Sequence, residues 1–396
     1  MSTAASSTAP LGAAEGAKSP GAPVPVTIVA HDVGSVGGME RQLAELAVGL
    51  HELGHPVTVI ARKCVLPAGS GVSFHRVRGP SRPFLIAYPW FALAGSLALR
   101  RHRRGVVQST GAIVLNRVDS VAVHCCHQVY TAKPGRPGLG YRLYGGAVGV
   151  VKRFSERLSV RRNSDAWFVC VSEGVSEEVR SCFPAVAAHV RTIHNGVDTT
   201  EFAPGAAPEA ARALRAELGL AAEDLVAAFV GGDWEHKGLR NAIEALARAP
   251  GWHLAVVGRG QPRPYQQLAA QLGVAERISW LGVRSDVRPV YAVADAFVLP
   301  SSYETFSLVT FEAAACGLPV IASDVNGVRE LITDGESGYL VEPSPAEIAQ
   351  RLRGLAADPQ LRARIGAAAR ESALRFRWEQ MVRAHHELFE QLGARV

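Results

Sequence analysis

The strongest constraint on this chain is a repeated alternation of short apolar runs with helix-patterned segments that open at glycines. VTIVA at Val26–Ala30 is a short apolar run and reads as a buried strand. GGMERQLAELAVGLHELGH follows, with Leu43, Leu46, Ala47 and Leu50 at helical spacing and Gly54 at its end. Pro56–Ala61 is a second strand. Strand, helix from a Gly-rich turn, then strand is a βαβ unit, which implies a parallel sheet. More strands are expected at Val106–Gln108, Ser120–Val123, Ala166–Val171 and Val190–Ile193. Near Gly196 the chain turns Pro-, Gly- and Ala-rich (GVDTTEFAPGAAPEAARA), as an interdomain linker does. The alternation then restarts, with strands expected at Leu225–Val230, His253–Val257, Arg277–Trp280, Ala296–Leu299, Pro319–Ala322 and Gly338–Val341. The expected fold class is α/β, with two doubly wound, Rossmann-like domains and a ligand cleft at their strand ends. After Pro359 the chain reads as helical, with Trp378–Leu392 as its last long helix.

Charge divides along the same line. Residues 1–195 carry 22 Lys/Arg against 11 Asp/Glu, whereas residues 196–396 carry 20 against 25. A basic first half facing a mildly acidic second half suggests anionic ligands on the first. The six cysteines form no CxxC pair, so reduced thiols and a cytoplasmic location are expected. Residues 1–25 have no basic start with an apolar core and read as a disordered tail rather than a secretory signal. Pro83 to Leu99 is charge-free for 17 residues. A span needs about 20. Two readings take precedence over a transmembrane helix: a buried helix with a basic end, or a helix lying on an anionic membrane with Trp90 and Phe91 dipping in.

The most informative motif is VLPSSYETFSLVTFEAAACGLPVIASDVNGVRELI. Glu304 and Glu312 stand eight apart. Glu304 is expected in a loop after a strand ending at Leu299, and Glu312 inside a helix opening near Ser307. The amides of Phe306, Ser307 and Leu308 would form a helix N-terminus that attracts phosphate. A second motif, FVGGDWEHKGLRNAIEAL, puts Gly231 and Gly232 after a strand and Lys237 at a helix start, where its ammonium can meet a phosphate. VVGRGQ adds a Gly-rich turn with Arg259, and LGVRSDV a further loop. In the first half, Gly37 and Gly38 open the first helix, where a ligand can approach the backbone closely. His124 follows the strand Ser120–Val123, at the edge where a cleft should lie. His127 is close by.

These strings resemble the GT-B-fold, retaining glycosyltransferases of family 4 (group 1), over nearly everything after the tail. Their loops are most similar to those of lipopolysaccharide-core glucosyltransferases. The signature is carried by Pro300, Ser301, Glu304, Phe306, Glu312, Ala313, Gly317, Pro319, Val320, Gly327, Glu330, Gly335, Gly338 and Leu340. Ser307 departs from it, because the family usually has Gly there. The resemblance implies a first, acceptor-side domain at 26–200, completed by the C-terminal helix 378–396, and a nucleotide-sugar domain at 201–377. It implies catalytic roles for His124 (with His127 as the alternate), Glu304 and Lys237. It implies donor contacts from Gly37, Gly38, Gly232, His236, Arg259, Phe306, Ser307, Leu308 and Glu312, with Glu312 holding the ribose. A sugar would move from a UDP-, GDP- or ADP-type donor to an acceptor hydroxyl, with no metal and no cofactor. HNGVDTTEFAP (His194–Pro204) would be the hinge-side string, and Ser172 a helix cap.

Residues 133–162 carry Lys133, Arg136, Arg142, Lys152, Arg153, Arg157, Arg161 and Arg162 against Glu156 alone. This is either a solvated basic helix or a contact for anionic lipid or a phosphorylated acceptor. No nucleic-acid motif accompanies the charge, so nucleic acid is not an expected partner. The expected partners are a nucleotide-sugar donor, a glycan, lipid-linked or small-molecule acceptor, and an anionic membrane at the cytoplasmic face.

Overall fold

The structure, a computed structural model, describes residues 23–34, 37–130, 139–221 and 223–394. The expected tail up to residue 22, Lys133, Arg136 and the last two positions of the C-terminal helix lie outside the described residues.

The first half contains strands β1 (Val26–Val29), β2 (Asp32–Val33), β3 (Val57–Ala61), β4 (Lys63–Cys64), β5 (Ser73–Arg76), β6 (Val106–Thr110), β7 (Ser120–Val123), β8 (Trp167–Cys170) and β9 (Val190–Thr192). Its helices are α1 (Gly38–Glu52), α2 (Phe84–His102), α3 (Leu139–Arg162) and α4 (Glu173–Cys182). The second half contains β10 (Leu225–Val230), β11 (Trp252–Val257), β12 (Ile278–Gly282), β13 (Ala296–Leu299), β14 (Val320–Ser323) and β15 (Tyr339–Val341). Its helices are α5 (Pro208–Glu217), α6 (Leu239–Leu246), α7 (Pro262–Gln271), α8 (Arg288–Val293), α9 (Leu308–Ala315), α10 (Val328–Leu331), α11 (Pro345–Ala357), α12 (Pro359–Ala373) and α13 (Trp378–Gly393).

Two parallel sheets result, one ordered β5-β3-β1-β6-β7-β8-β9 and the other β12-β11-β10-β13-β14-β15. Central strands such as VTIV and AFVL are buried along their whole length, which is why they read as continuous apolar runs rather than alternating ones. The fold is therefore the expected pair of Rossmann-like units. The edge strand β5 escapes the sequence pattern. SFHR is mostly exposed, so its residues carry no burial signal.

In each sheet the chain winds outward on one side and then returns to the other. The order reverses between β1 and β6 in the first sheet, and between β10 and β13 in the second. A crevice opens at the carboxyl ends of strands at such a switch point. Those ends carry His31, Thr110 and Gly111 in the first sheet. In the second they carry Gly231, Gly232 and the Pro300–Glu304 loop.

The last helix returns to the first sheet. Trp378, Met381, Val382 and Phe389 of α13 share one apolar cluster with Leu43, Leu46 and Leu50 of α1 and Ile28 of β1. Gly49 makes this close contact feasible, since a Cβ there would stand 2.6 Å from Val382. Pro83 to Leu99 forms most of α2. No described helix is long and apolar enough to cross a membrane.

Candidate active site

Lys237 and Glu304 meet at the switch point of the second sheet. Lys237 Nζ donates to Glu304 Oε1 at 2.5 Å, and Ser301 Oγ donates to the same oxygen at 2.7 Å. Gly238 makes the approach feasible. Its φ is 77°, and a Cβ there would fall 2.1 Å from the Pro300 carbonyl oxygen, so a side chain would push α6 away from the loop after β13. The stem of Lys237 packs over Gly231, whose Cβ position is 3.3 Å from Lys237 Cγ. Glu304 is only 8% exposed, and the ammonium beside it offsets the cost of burying a carboxylate.

Glu304 also lines a cavity of about 300 Å³ between the two sheets. His236, Tyr303 and Thr305 border it from the second half, and His124, Cys125, His127, Tyr130 and Lys152 from the first. His236 is fixed by Ser302, whose hydroxyl lies 3.1 Å from Nδ1. Tyr303 donates to Glu178 Oε2 of α4 at 3.1 Å, and Asn326 donates to Glu178 Oε1 at 2.7 Å. These contacts cross between the two sheets, so the cleft is closed.

His124 stands directly beyond β7. Its Nε2 lies 3.2 Å from the Gln42 amide oxygen. That oxygen can only accept, so Nε2 carries the proton and Nδ1 is the bare ring nitrogen. Burial lowers the imidazole to about 4, which keeps it neutral near pH 7. His127 lies in a turn rather than one helical turn on. Burial, reinforced by Lys152, also lowers it to about 4. Both histidines face the cavity, so both sequence candidates remain.

Glu312 lies elsewhere. It is buried within α9, and Arg41 Nη1 donates to its Oε1 at 3.0 Å while the Tyr291 hydroxyl donates to Oε2 at 3.1 Å. Burial raises its carboxyl to about 7 against the opposing pull of Arg41 and Tyr291. In this closed form the carboxylate expected to hold the ribose is thus engaged by Arg41 and Tyr291.

Ser307 is the residue before α9, in the left-handed region with φ 71°. Its hydroxyl lies 2.8 Å from Thr310 Oγ1. A left-handed residue lacks strain only as glycine, which gives a physical reason for the family's preference at this position. The Phe306 ring is not a lining group. It is buried and stacked on Phe311 at 4.1 Å between centroids, so only its main chain is left for a ligand. Leu308 meets the glycine turn across the cleft, with the Cβ position of Gly38 at 3.2 Å from Leu308 Cδ1. Gly37 precedes α1 with φ 97°. Gly232 and Arg259 are exposed on neighbouring turns, the Gly232 Cβ position 3.9 Å from the Arg259 carbonyl. Ser172 caps α4 by accepting from Val175 N at 3.2 Å.

Sequence reasoning missed Arg41, Gln42, Tyr303 and His31. His31 had a usable signal, because it directly follows β1 just as His124 follows β7. Arg41 had none, since its partner lies 271 residues away.

The profile described as Glycosyltransferase Family 4 matches residues 36–201, and that described as Glycosyl transferases group 1 matches residues 211–372. The alpha-maltose-1-phosphate synthase of Mycolicibacterium smegmatis is 32% identical over 67% of this chain and 72% of its own length. The D-inositol 3-phosphate glycosyltransferase of Corynebacterium jeikeium is 33% identical over 58% of each chain. Among solved structures, WaaG, a glycosyltransferase involved in lipopolysaccharide biosynthesis, superposes with a TM-score of 0.76 at 20% identity, covering 92% of this chain and 99% of its own. At that identity the likeness concerns the fold.

Proposed function

The chain belongs to the family 4, group 1 glycosyltransferases, and on that premise we propose that it moves a sugar from a nucleotide-diphosphate sugar to an acceptor hydroxyl with retention of configuration. The observation that carries this reading is Glu304, held by Lys237 at the second switch point and sharing one cavity with His124. Lys237 and the α9 amides would stabilise the negative charge that develops on a departing diphosphate, without a metal. Glu304 would orient the sugar ring through its hydroxyls. The bond from the anomeric carbon to the phosphate oxygen breaks, the bond to the acceptor oxygen forms, and the acceptor's proton passes to the leaving diphosphate. No protein nucleophile is required. Glu312 would take the ribose once Arg41 has released it.

The same reading has the enzyme working in the cytoplasm, in peripheral contact with an anionic membrane, in the synthesis of a cell-surface glycan or glycolipid. What supports the membrane contact is a pair of apolar stripes. Ile86, Trp90, Leu93 and Leu97 are exposed along α2, and Leu143, Val150, Phe154 and Leu158 along the adjoining α3. Arg100 and Arg101 end the first, and Arg153 and Arg157 punctuate the second. Apolar insertion beside arginines is the pattern of an interfacial helix on anionic lipid.

A thermal-shift panel of UDP, GDP, ADP and TDP tests the reading. One nucleoside diphosphate should raise the melting temperature with concentration, and its sugar conjugates should then be turned over. A flat response to all four contradicts it.

A further inference from the structure

A second cavity, of about 290 Å³, lies wholly within the first half. It occupies the switch point between β1 and β6, beneath α2 and α3, and it shares His124, Cys125, His127 and Lys152 with the interdomain cavity. Its wall is dominated by apolar groups, among them Phe84, Ile113, Val121 and Val160. Its size is at the lower end of the roughly 300–1,000 Å³ usual for small-molecule sites. We infer that this cavity holds the acceptor, and that the acceptor is an uncharged, apolar molecule carrying the reacting hydroxyl rather than a free sugar or a sugar phosphate. The inference rests on the glycosyl-transfer reading and names the substrate class for it.

Three observations converge. First, the mainly apolar wall carries polar atoms that lack a partner. His31 Nδ1, Thr110 Oγ1 and His124 Nδ1 are buried without a hydrogen-bond partner among the described residues, and all three residues line this cavity. Unpartnered buried polar atoms are costly, and a hydroxyl-bearing ligand would satisfy them. His124 Nδ1 is bare, so a hydroxyl there would donate to it.

Second, the charge in the wall is balanced. Among the described residues Lys152 is the one lining ammonium and Glu156 the one lining carboxylate. Glu156 is tied down by His127 N and Gln128 Nε2, each at 2.9 Å. Lys152 Nζ lies 5.5 Å from the Phe84 ring centroid. A phosphate would find no arginine among the described residues of this wall and would have to shed its water among apolar groups, which is unfavourable.

Third, the roof of the cavity is the inner side of α2 and α3, whose outer sides carry the exposed apolar stripes. A lipid-borne alcohol could reach the cavity from a bilayer, and a soluble aromatic alcohol from water. The chemistry recognised is the same in both cases.

The test uses the full chain and the nucleotide sugar identified by the diphosphate panel. The candidate acceptors are 2-naphthol in solution, a long-chain prenol in phosphatidylglycerol–phosphatidylcholine vesicles, and glucose and an inositol phosphate as polar alternatives. Glycoside formation on naphthol or prenol supports the inference, and the arm that reacts identifies the source. Ala112→Phe narrows the cavity and should raise the acceptor KM at least ~10-fold more than the donor KM. Ser159→Leu, on α3, gives the same split if Ala112→Phe does not fold. Transfer only to glucose or the inositol phosphate overturns the inference while leaving the transferase reading intact. Apolar acceptors whose KM neither variant moves also overturn it. A nucleotide panel without any response overturns the transferase reading itself, and this inference with it.

Discussion

The guanidinium of Arg41 joins Glu312 at 3.0 Å and Glu201 at 3.3 Å, tying α1 beneath the first sheet to α9 of the second. Glu312 is 7% exposed, so this is a mostly buried pair that spans the cleft. Removing Arg41 leaves the buried Glu312 with the Tyr291 hydroxyl but no cation, and removing the Glu312 charge leaves Arg41 with the more exposed Glu201 and Glu45. Arg41→Ala and Glu312→Gln should therefore each lower the melting temperature, and the double variant should lose less than the sum of the two. A double-mutant cycle should give a coupling of about 1–3 kcal/mol. Additive losses would mean that the two residues do not hold the cleft together.

Glu304→Gln keeps the shape of the side chain but removes the charge that Lys237 faces. Its folded variant should lose at least ~100-fold in sugar transfer, the scale seen when one charge-stabilising group is removed. Steady-state turnover with circular dichroism as the folding control checks this.

Ser307 holds φ 71° without being glycine. The left-handed region costs an ordinary residue roughly 1–2 kcal/mol. Ser307→Gly should raise the melting temperature despite the lost contact with Thr310, and Ser307→Val should lower it. The reverse order would show that the hydroxyl contact outweighs the backbone strain.

Acid should destabilise the chain. His31, His124, His127 and His385 all fall from 6.5 to about 4, chiefly through burial. Between those values the unfolded chain binds protons that the folded chain refuses, so stability drops as pH falls from 6.5 to 4. Glu312 acts in the opposite direction. Its carboxyl rises from 4.5 to about 7, so its contribution weakens as pH rises through that window. Among the large shifts four histidines stand against one carboxyl, and the smaller rises at Glu40, Glu45, Glu156 and Glu178 are opposed by falls at His55 and His75, so the melting temperature should fall on acidification. His385→Phe should flatten the slope and Glu312→Gln should steepen it.

Much of the fold was legible because its signals are local. A fully buried parallel strand is a continuous apolar run, and a βα turn needs its glycines, so β1, β10 and β13 could be read from a few residues each. The same locality placed Lys237 after Gly231–Gly232 and Glu304 after Leu299, the two carboxyl ends that the sheet order brings together. What stayed hidden depends on closure and on packing. Arg41 reads as an ordinary helix-start arginine until the two sheets face each other and set it on Glu312. The Phe306 ring could not be placed until the Phe311 and Phe376 rings showed it to be core, leaving the amide on which the site reading rests. The apolar cavity is built from α2, α3 and three strand ends, so no window of sequence displays it.

The central claim is that Lys237 holds and neutralises the diphosphate of a nucleotide sugar. The most direct measurement is transfer by Lys237→Ala with the nucleotide sugar that the wild type turns over, folding being checked in parallel. The account predicts that kcat/KM falls at least ~100-fold, the scale of one lost charge-stabilising group, and that the melting shift with the matching diphosphate shrinks. A folded Lys237→Ala that keeps wild-type turnover and the full melting shift would contradict it.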